Sequence, residues 1–402
     1  MSKRNILIIG AGASGLMAAI WAARCGARVT VLEANDKPGR KILASGNGKC
    51  NLTNLKQDPS CYRGTDPQFL WNVIQQFDVN QTIAFFTGLG LYPKNRDGWI
   101  YPYTGQSETV LKLLLQEAEH LGVRIKTREF VTAVTRTEAG SMLTRTKTWE
   151  YPSDAVILAC GSPASAVRGS SDTAERIAGQ IGQPFLTFMP ALVPLHVRGN
   201  YAQKWAGVRV DAAVTLETES GFTMREEGNV QLADYGISGI PVFQISRFAV
   251  RAIRENHEHV QIRLDLVPDL TEAELAGRME MQSRRNPHKS VRSLFTGLLP
   301  EQLIPLFIEK NMDLTTAARR IKSIQLMITD AASGRYAQVS SGGITAAGLD
   351  NTLQSVIMPG LYFAGEAIDA DGACGGYNLQ WAWSSGYLAG INAAGRKDEI
   401  SV

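Results

Sequence analysis

Residues Asn5 to Ile9 form a short, nearly unbroken apolar run rich in β-branched side chains, the pattern of a strand covered on both faces of a parallel sheet. The run enters Gly10-Ala11-Gly12-Ala13-Ser14-Gly15, then an alanine-rich helical stretch from Leu16 to Cys25, then a second strand from Arg28 to Glu33. Phe130 to Val134 and Ala155 to Leu158 read as further strands, the latter opening into a turn at Gly161. Near the other end, Gly360 to Glu366 reads as a strand closing on Gly365 and Glu366. Ala367 to Gly376 is a loop, and Tyr377 to Leu388 a helix for which Asn378 is the candidate N-cap.

The middle of the chain changes period. Pro190 and Pro194 cannot share one regular element, so Met189 to Leu195 marks an exit from the first domain. From His196 to Leu266 short alternating segments, such as Ala213 to Thr218, predict antiparallel strands. Thr271 to Arg320 has helical period, and Thr271 with Glu274 has capping-box spacing. Ser340 to Ile344 returns the chain to the first domain. The expected organisation is a first domain part at 1–190, an inserted antiparallel β domain at 191–270, a helical subdomain at 271–321, a return through the inserted domain at 322–341, and the second part of the first domain at 342–402. The fold class is α/β, doubly wound.

Composition removes alternatives more than it adds. Lys+Arg 41 against Asp+Glu 38 leaves a net charge of +3, too balanced for a dedicated nucleic-acid or anionic-membrane binder. No uncharged apolar run approaches the roughly 18 residues of a membrane span. Met1-Ser2-Lys3-Arg4 ahead of the first strand imitates a signal peptide, but the glycines that follow favour a strand, so the expected address is the cytoplasm. Five cysteines without a C-x-x-C pair argue against a zinc site, a redox dithiol and a disulfide framework. His257 and His259 lie in a polar segment with no cysteine or further histidine nearby, so no metal site is expected. The run Ser283 to Lys289 decorates a helical surface or, as the sharper alternative, meets an anionic substrate tail such as a CoA thioester.

The first forty residues carry the chemistry. In a strand–glycine turn–helix–strand unit, Gly10 permits the tight turn, Gly12 lets the backbone approach a pyrophosphate, and Gly15 brings helix and strand close. The helix start at Ala13 and Ser14 offers unpaired N–H groups and partial positive charge to phosphates. Glu33 stands roughly 20 residues beyond the glycines, where a ribose diol is expected. The stretch Pro38 to Asn54, with Arg40, Lys41, Ser45, Gly46 and Asn51, suits a long polar ligand lying along it. A nicotinamide dehydrogenase has no need of the second glycine-acid turn at Gly365-Glu366. A flavoprotein has, because its ribityl chain and ring extend beyond the ADP half. The helix start at Gly376, Tyr377, Asn378 and Leu379 can face the ring edge where negative charge gathers on reduction. Gly161 and the backbone of Val131 are further candidate contacts. No second G-x-G-x-x-G follows a strand, so a nicotinamide visits transiently or molecular oxygen is the redox partner.

The stretches GAGASGLMAA, GRKILASGNGKCNLTN, the DYGISG segment and PGLYFAGEAIDADGACGGYNLQWAWSSGYLAG resemble the BaiN/aminoacetone-oxidase-like flavoprotein family, from residue 5 to about residue 391. The resemblance implies a doubly wound, Rossmann-type FAD domain interrupted by an inserted domain that is part β-barrel and part helical. It implies non-covalent FAD contacts at Ser14, Glu33, Arg40, Lys41, Ser45, Gly46, Asn51, Glu366, Tyr377 and Asn378. The chain departs from the family at Cys160-Gly161-Ser162, where Thr-Gly-Gly is common, and at Ser238-Gly239-Ile240, where Ser-Gly-Pro is common.

Three functions follow as expectations. The first is NAD(P)H-driven reduction of an activated C=C bond, by hydride from flavin N5 to an enone; the resemblance implies such a reaction, since some members reduce steroid or bile-acid intermediates. The second is an oxidase of a small amine such as aminoacetone, using O2. The third is a flavin-bearing sensor without turnover. Candidate proton donors are Tyr235 and Tyr101, with Tyr103 beside the latter; packing with a satisfied hydroxyl is the plainer role for each. The partner is a small molecule, not nucleic acid or membrane, and no feature sets an oligomeric state.

Overall fold

The alanine-rich first helix, Ala13–Arg24, is buried nearly all round because both of its neighbours reach it through small residues. Gly15 lies so close to the first strand's exit that a Cβ there would meet the Gly10 carbonyl oxygen at 1.9 Å. On its other side, the last helix, Tyr377–Ala393, packs through Gly386 and Gly390 against the backbone of Ser14 and Ala18. Trp21 of the first helix stacks edge-on to Tyr387 of the last, 4.8 Å between centroids.

The computed structural model describes residues 3–165, 167 and 171–395. The chain divides into two compact units, Met1–Phe188 with Val339–Val402, and Met189–Gln338.

The first unit is built on a five-stranded parallel sheet in the order Leu361–Phe363, Ala155–Leu158, Asn5–Ile9, Arg28–Glu33, Arg124–Thr127. Ile6 to Ile9 pair with Ala155 to Leu158 on one side, while Asn5 to Ile9 pair with Arg28 to Leu32 on the other. Strand order reverses beside the first strand, and a ligand crevice opens at the carboxyl ends of strands at such a switch point. Three antiparallel strands, Val131–Arg136, Met142–Thr146 and Glu150–Ser153, form a separate small sheet. A third sheet joins Thr53–Asn54, Trp99–Pro102 and Pro93–Arg96.

The second unit is a closed six-stranded barrel of Leu195–Val197, Gly236–Gly239, Thr223–Ala233, Arg209–Thr218, Val260–Asp265 and Ile324–Ala331, with every pairing antiparallel. Closure leaves no exposed edge. Helix Glu272–Arg285 carries the capping box at Thr271 and Glu274. Lys322, ending helix Leu314–Lys322, ties the helical segment to the barrel through Asp265 at 2.8 Å.

Some expectations are corrected. The segment read as strands throughout contains a fifteen-residue helix, Ile240–Arg254, begun by Pro241 in its first turn, where the missing N–H costs nothing. Pro190 lies inside strand Phe185–Ala191, tolerated in a sheet of only two strands. The last helix is capped by Gly376 in a left-handed conformation, φ 96°, not by Asn378, which is already helical.

Candidate functional site

The glycine turn is positioned by the sheet. Gly10, at φ 103°, sits against the Ala159 carbonyl, where any Cβ would overlap at 2.4 Å. Gly12 is different: its backbone is extended, and a Cβ there meets nothing within 4 Å. Packing thus explains glycine at position 10, whereas at position 12 the protein's own atoms demand nothing.

Glu33, at the carboxyl end of the second strand, is buried and accepts hydrogen bonds from the Ala11 N–H at 2.9 Å and from the backbone and side-chain amides of Asn35 at 2.8 Å. The carboxylate therefore fixes the glycine turn to the second strand, and its remaining lone pairs can accept from a diol.

Segments far apart in sequence converge here. Lys41 donates to Glu366 at 2.6 Å, and the Ser162 hydroxyl donates to the same oxygen at 3.0 Å. A Cβ on Gly161 would lie 3.8 Å from that oxygen. Gly365 sits against Ser14, leaving no room for a side chain, and its N–H donates to Ser385 at 2.9 Å. Ser162 departs from the common family pattern, and its place on Glu366 was not foreseen. Its only signal was a hydroxyl next to a glycine turn.

Between Gly39 and Asn54 the chain coils tightly. Arg40 pairs with Asp36, leaving its Nε buried without a partner, and Ser45 donates to the Ile42 carbonyl at 2.6 Å. Gly46 and Asn47 are left-handed. Asn51 is only 6 % exposed, and neither its amide nitrogen nor its amide oxygen has a partner. Leaving such groups unpaired costs about 1–3 kcal/mol each. A buried amide with both functions free is what a polar ligand with donor and acceptor atoms would satisfy.

The last helix begins at the same place. Asn378 spends its amide on the preceding loop, accepting from the Gly372 N–H at 2.8 Å and donating to the Gly372 carbonyl at 2.9 Å. Gly376 touches the Thr53 backbone, and Gly375 faces Trp99. A buried polar chain behind them was also missed: Thr53 donates to Gln380 at 2.7 Å, and Gln380 donates to the Phe77 carbonyl and to Ser384, both at 2.9 Å. Tyr377 stands edge-on to Tyr62, and burial with the nearby Cys61 thiol pushes its phenol above the ordinary range. Leu379 follows in the first turn, partly buried.

Val131 opens its strand and is buried; its carbonyl accepts from Arg176 at 2.7 Å. Tyr101 lies half-buried on strand Trp99–Pro102, 3.9 Å from where a Gly46 Cβ would stand, and burial raises its phenol pKa. Tyr235 belongs to the barrel unit, where it stacks on His196 at 5.6 Å; burial raises its pKa as well. Among the described residues no cluster could hold a metal ion, and no helix is long and apolar enough to cross a membrane.

The residues fit a flavin dinucleotide. Open space stands over Gly12, an unpaired helix start adjoins it, a fixed carboxylate lies at the second strand, and an orphaned amide lies further along. Fold and site together define a Rossmann-type, FAD-dependent oxidoreductase. The chain is 40% identical over 408 residues to the 3-dehydro-bile acid delta(4,6)-reductase of Clostridium scindens, covering 98% of this chain and 99% of that one. It is 29% identical to the ribosomal RNA dihydrouridine synthase of Escherichia coli, covering 96% and 97%. The 3-ketosteroid delta1-dehydrogenase of Sterolibacterium denitrificans shares the fold, with a TM-score of 0.53 at 13% identity over 98% of this chain and 100% of that one. The chain belongs to the family described as HI0933-like protein Rossmann domain, which matches residues 4–392. The flavoprotein resemblance read from the motifs is thus shown.

Proposed function

We propose that the protein reduces a carbon–carbon double bond conjugated to a carbonyl, in a steroid or bile-acid-like enone, with NAD(P)H as the source of electrons. The observation that carries this reading is the near full-length similarity to a reductase of 3-dehydro bile acids. The relative named for dihydrouridine supports the reaction type, because forming dihydrouridine also saturates a ring double bond conjugated to a carbonyl.

In this reading the diphosphate lies over Gly10, Gly12, Ala13, Ser14 and Gly15, and Glu33 holds the ribose. Arg40, Lys41, Ser45, Gly46 and Asn51 follow the ligand along the loop. Gly161, Gly365, Glu366, Gly376, Tyr377, Asn378 and Leu379 hold the ribityl and ring end, while Val131 backs the adenine. When bound, the flavin supplies hydride to the β-carbon of the enone. The chain supplies orientation and a proton for the α-carbon. Tyr101 and Tyr235 are the candidate donors, since phenols raised by burial stay protonated through neutral pH.

The test is anaerobic. NAD(P)H should bleach the purified yellow holoenzyme, and a 3-oxo-Δ4 steroid acid should restore its colour. Bleaching by aminoacetone, with peroxide on readmitting air, would replace the reading by an amine oxidase. Bleaching only by dithionite would replace it by a sensor. A second reading, base reduction in ribosomal RNA, rests on the similarity to the dihydrouridine synthase, and colour restored by an rRNA fragment would favour it.

A further inference from the structure

The antiparallel ribbon formed by Pro93–Arg96 and Trp99–Pro102 has two unlike faces. Leu91 and Ile100 turn inward onto an apolar pocket they share with Leu52 and Phe86. The other face carries three cross-strand rungs. Arg96 is opposite Trp99, Lys94 is opposite Tyr101, and Tyr103 binds the Tyr92 carbonyl through its N–H at 2.7 Å. Each cation leans one rung along the ribbon: Arg96 lies over the Tyr101 ring at 5.5 Å, and Lys94 over the Tyr103 ring at 5.3 Å. Neither forms an ion pair with a described carboxylate. Tyr92 and Tyr103 are 78% and 69% exposed, so two large rings stand in solvent beside two unpaired charges.

The face is joined to the candidate flavin site. Trp99 touches Gly375, just ahead of the last helix, Tyr101 faces Gly46, and Asn54 of the adjoining strand donates to the Gly375 carbonyl at 3.1 Å. From Tyr92 to Arg96 the rungs span about 13 Å at the usual strand rise.

We propose that this ribbon face is the substrate platform, and that it selects ring substrates bearing an anionic tail: the aromatic rungs take the face of a fused alicyclic ring system, and Lys94 and Arg96 take its carboxylate. This deepens, and rests on, the enone-reductase reading. Aromatic faces hold the cations in place before binding, so less side-chain freedom is lost when a carboxylate arrives. A small anion fits better than a polynucleotide because the ribbon has only these two cations, with Asp97 in its turn, on a chain of net charge +3.

The experiment compares 3-oxo-4-cholenoic acid with its methyl ester, reading dissociation constants from the perturbed visible spectrum of the oxidised holoenzyme. The acid should bind about tenfold more tightly, two exposed ion contacts each giving a fraction of a decade. The Lys94→Gln/Arg96→Gln variant should keep its FAD and bind acid and ester alike, and added salt should erase the wild-type preference. Equal affinity for acid and ester in the wild type, or preference persisting in the double variant, overturns the platform while leaving enone reduction standing. If no enone reoxidises the NAD(P)H-reduced enzyme, the functional reading itself falls, and the platform with it. A uridine-containing rRNA fragment that binds more tightly than the acid, through Lys94 and Arg96, assigns the face to RNA and overturns the proposal.

Discussion

Gly386 offers a perturbation whose sign can be worked out from the packing. An Ala at this position would place a Cβ 2.5 Å from the Ser14 carbonyl oxygen and 3.0 Å from the Met17 Cβ. The oxygen belongs to helix backbone and cannot swing aside, so the last helix must move off the first. Overpacking of this kind costs about 3 kcal/mol, the upper end of its usual range. Replacing Gly by Ala in a helix interior returns about 1 kcal/mol. The net loss is about 2 kcal/mol, a fall in Tm of roughly 4–8 °C for a unit of this size. Gly179, exposed in helix Thr173–Ile181 with nothing within 4 Å of a Cβ, is the control. There the same substitution has only the propensity gain, so Gly179→Ala should raise stability by about 0.5–1 kcal/mol. Thermal unfolding by calorimetry reads both. Because Ser14 lies in the candidate phosphate-binding turn, Gly386→Ala should also leave the purified protein with less FAD. A Tm for Gly386→Ala at or above wild type, or equal shifts for both variants, would refute the packing argument.

Gly12→Ala meets no protein atom, so the apo protein should unfold at the wild-type temperature while FAD content falls sharply; wild-type flavin content would remove the pyrophosphate from that position. Asn51→Leu should stabilise the apo protein by about 2 kcal/mol or more, since it deletes two buried unpaired groups that cost about 1–3 kcal/mol each, and should weaken FAD retention; denaturant melts with and without FAD separate the two effects. If Tyr101 delivers the proton, Tyr101→Phe should slow flavin reoxidation by an enone. In the wild type the alkaline limb of that rate should lie above the ordinary tyrosine pKa of about 10, because burial raises the phenol and only deprotonation removes the donor. Burial also pushes the Cys50 and Cys160 thiols up to about 12, so iodoacetamide at pH 8 should spare both in the native protein, as peptide mass mapping would show.

Much of the first domain was legible because its signals are local. A buried parallel strand must be apolar throughout, a helix needs glycine to approach a strand closely, and the acid at the end of the second strand follows from strand length. The Asn5–Ile9 strand, the turn at Gly10 and the helix after it could therefore be placed from residue order alone. The helix Ile240–Arg254 was hidden because Gly and Pro at its start look like loop punctuation, although Pro is well suited to a first helical turn. The cap of the last helix was misplaced for a related reason. Asparagine is a good N-cap, but here two consecutive left-handed glycines had already turned the chain, and the Asn378 amide was drawn back to Gly372.

What residue order determined by itself was the dinucleotide-type turn, the flavoprotein family motifs and the change from helical to alternating period. Tertiary structure alone decided which distant groups meet. Lys41, Ser162 and Glu366 join across the whole chain, Asn51 is buried with its amide unpaired, and an ordinary-looking aromatic segment becomes a ribbon with one apolar and one cationic face. Periodicity records which face of an element is covered. It does not record which other element covers it, and the chemistry of a site is the product of that second fact.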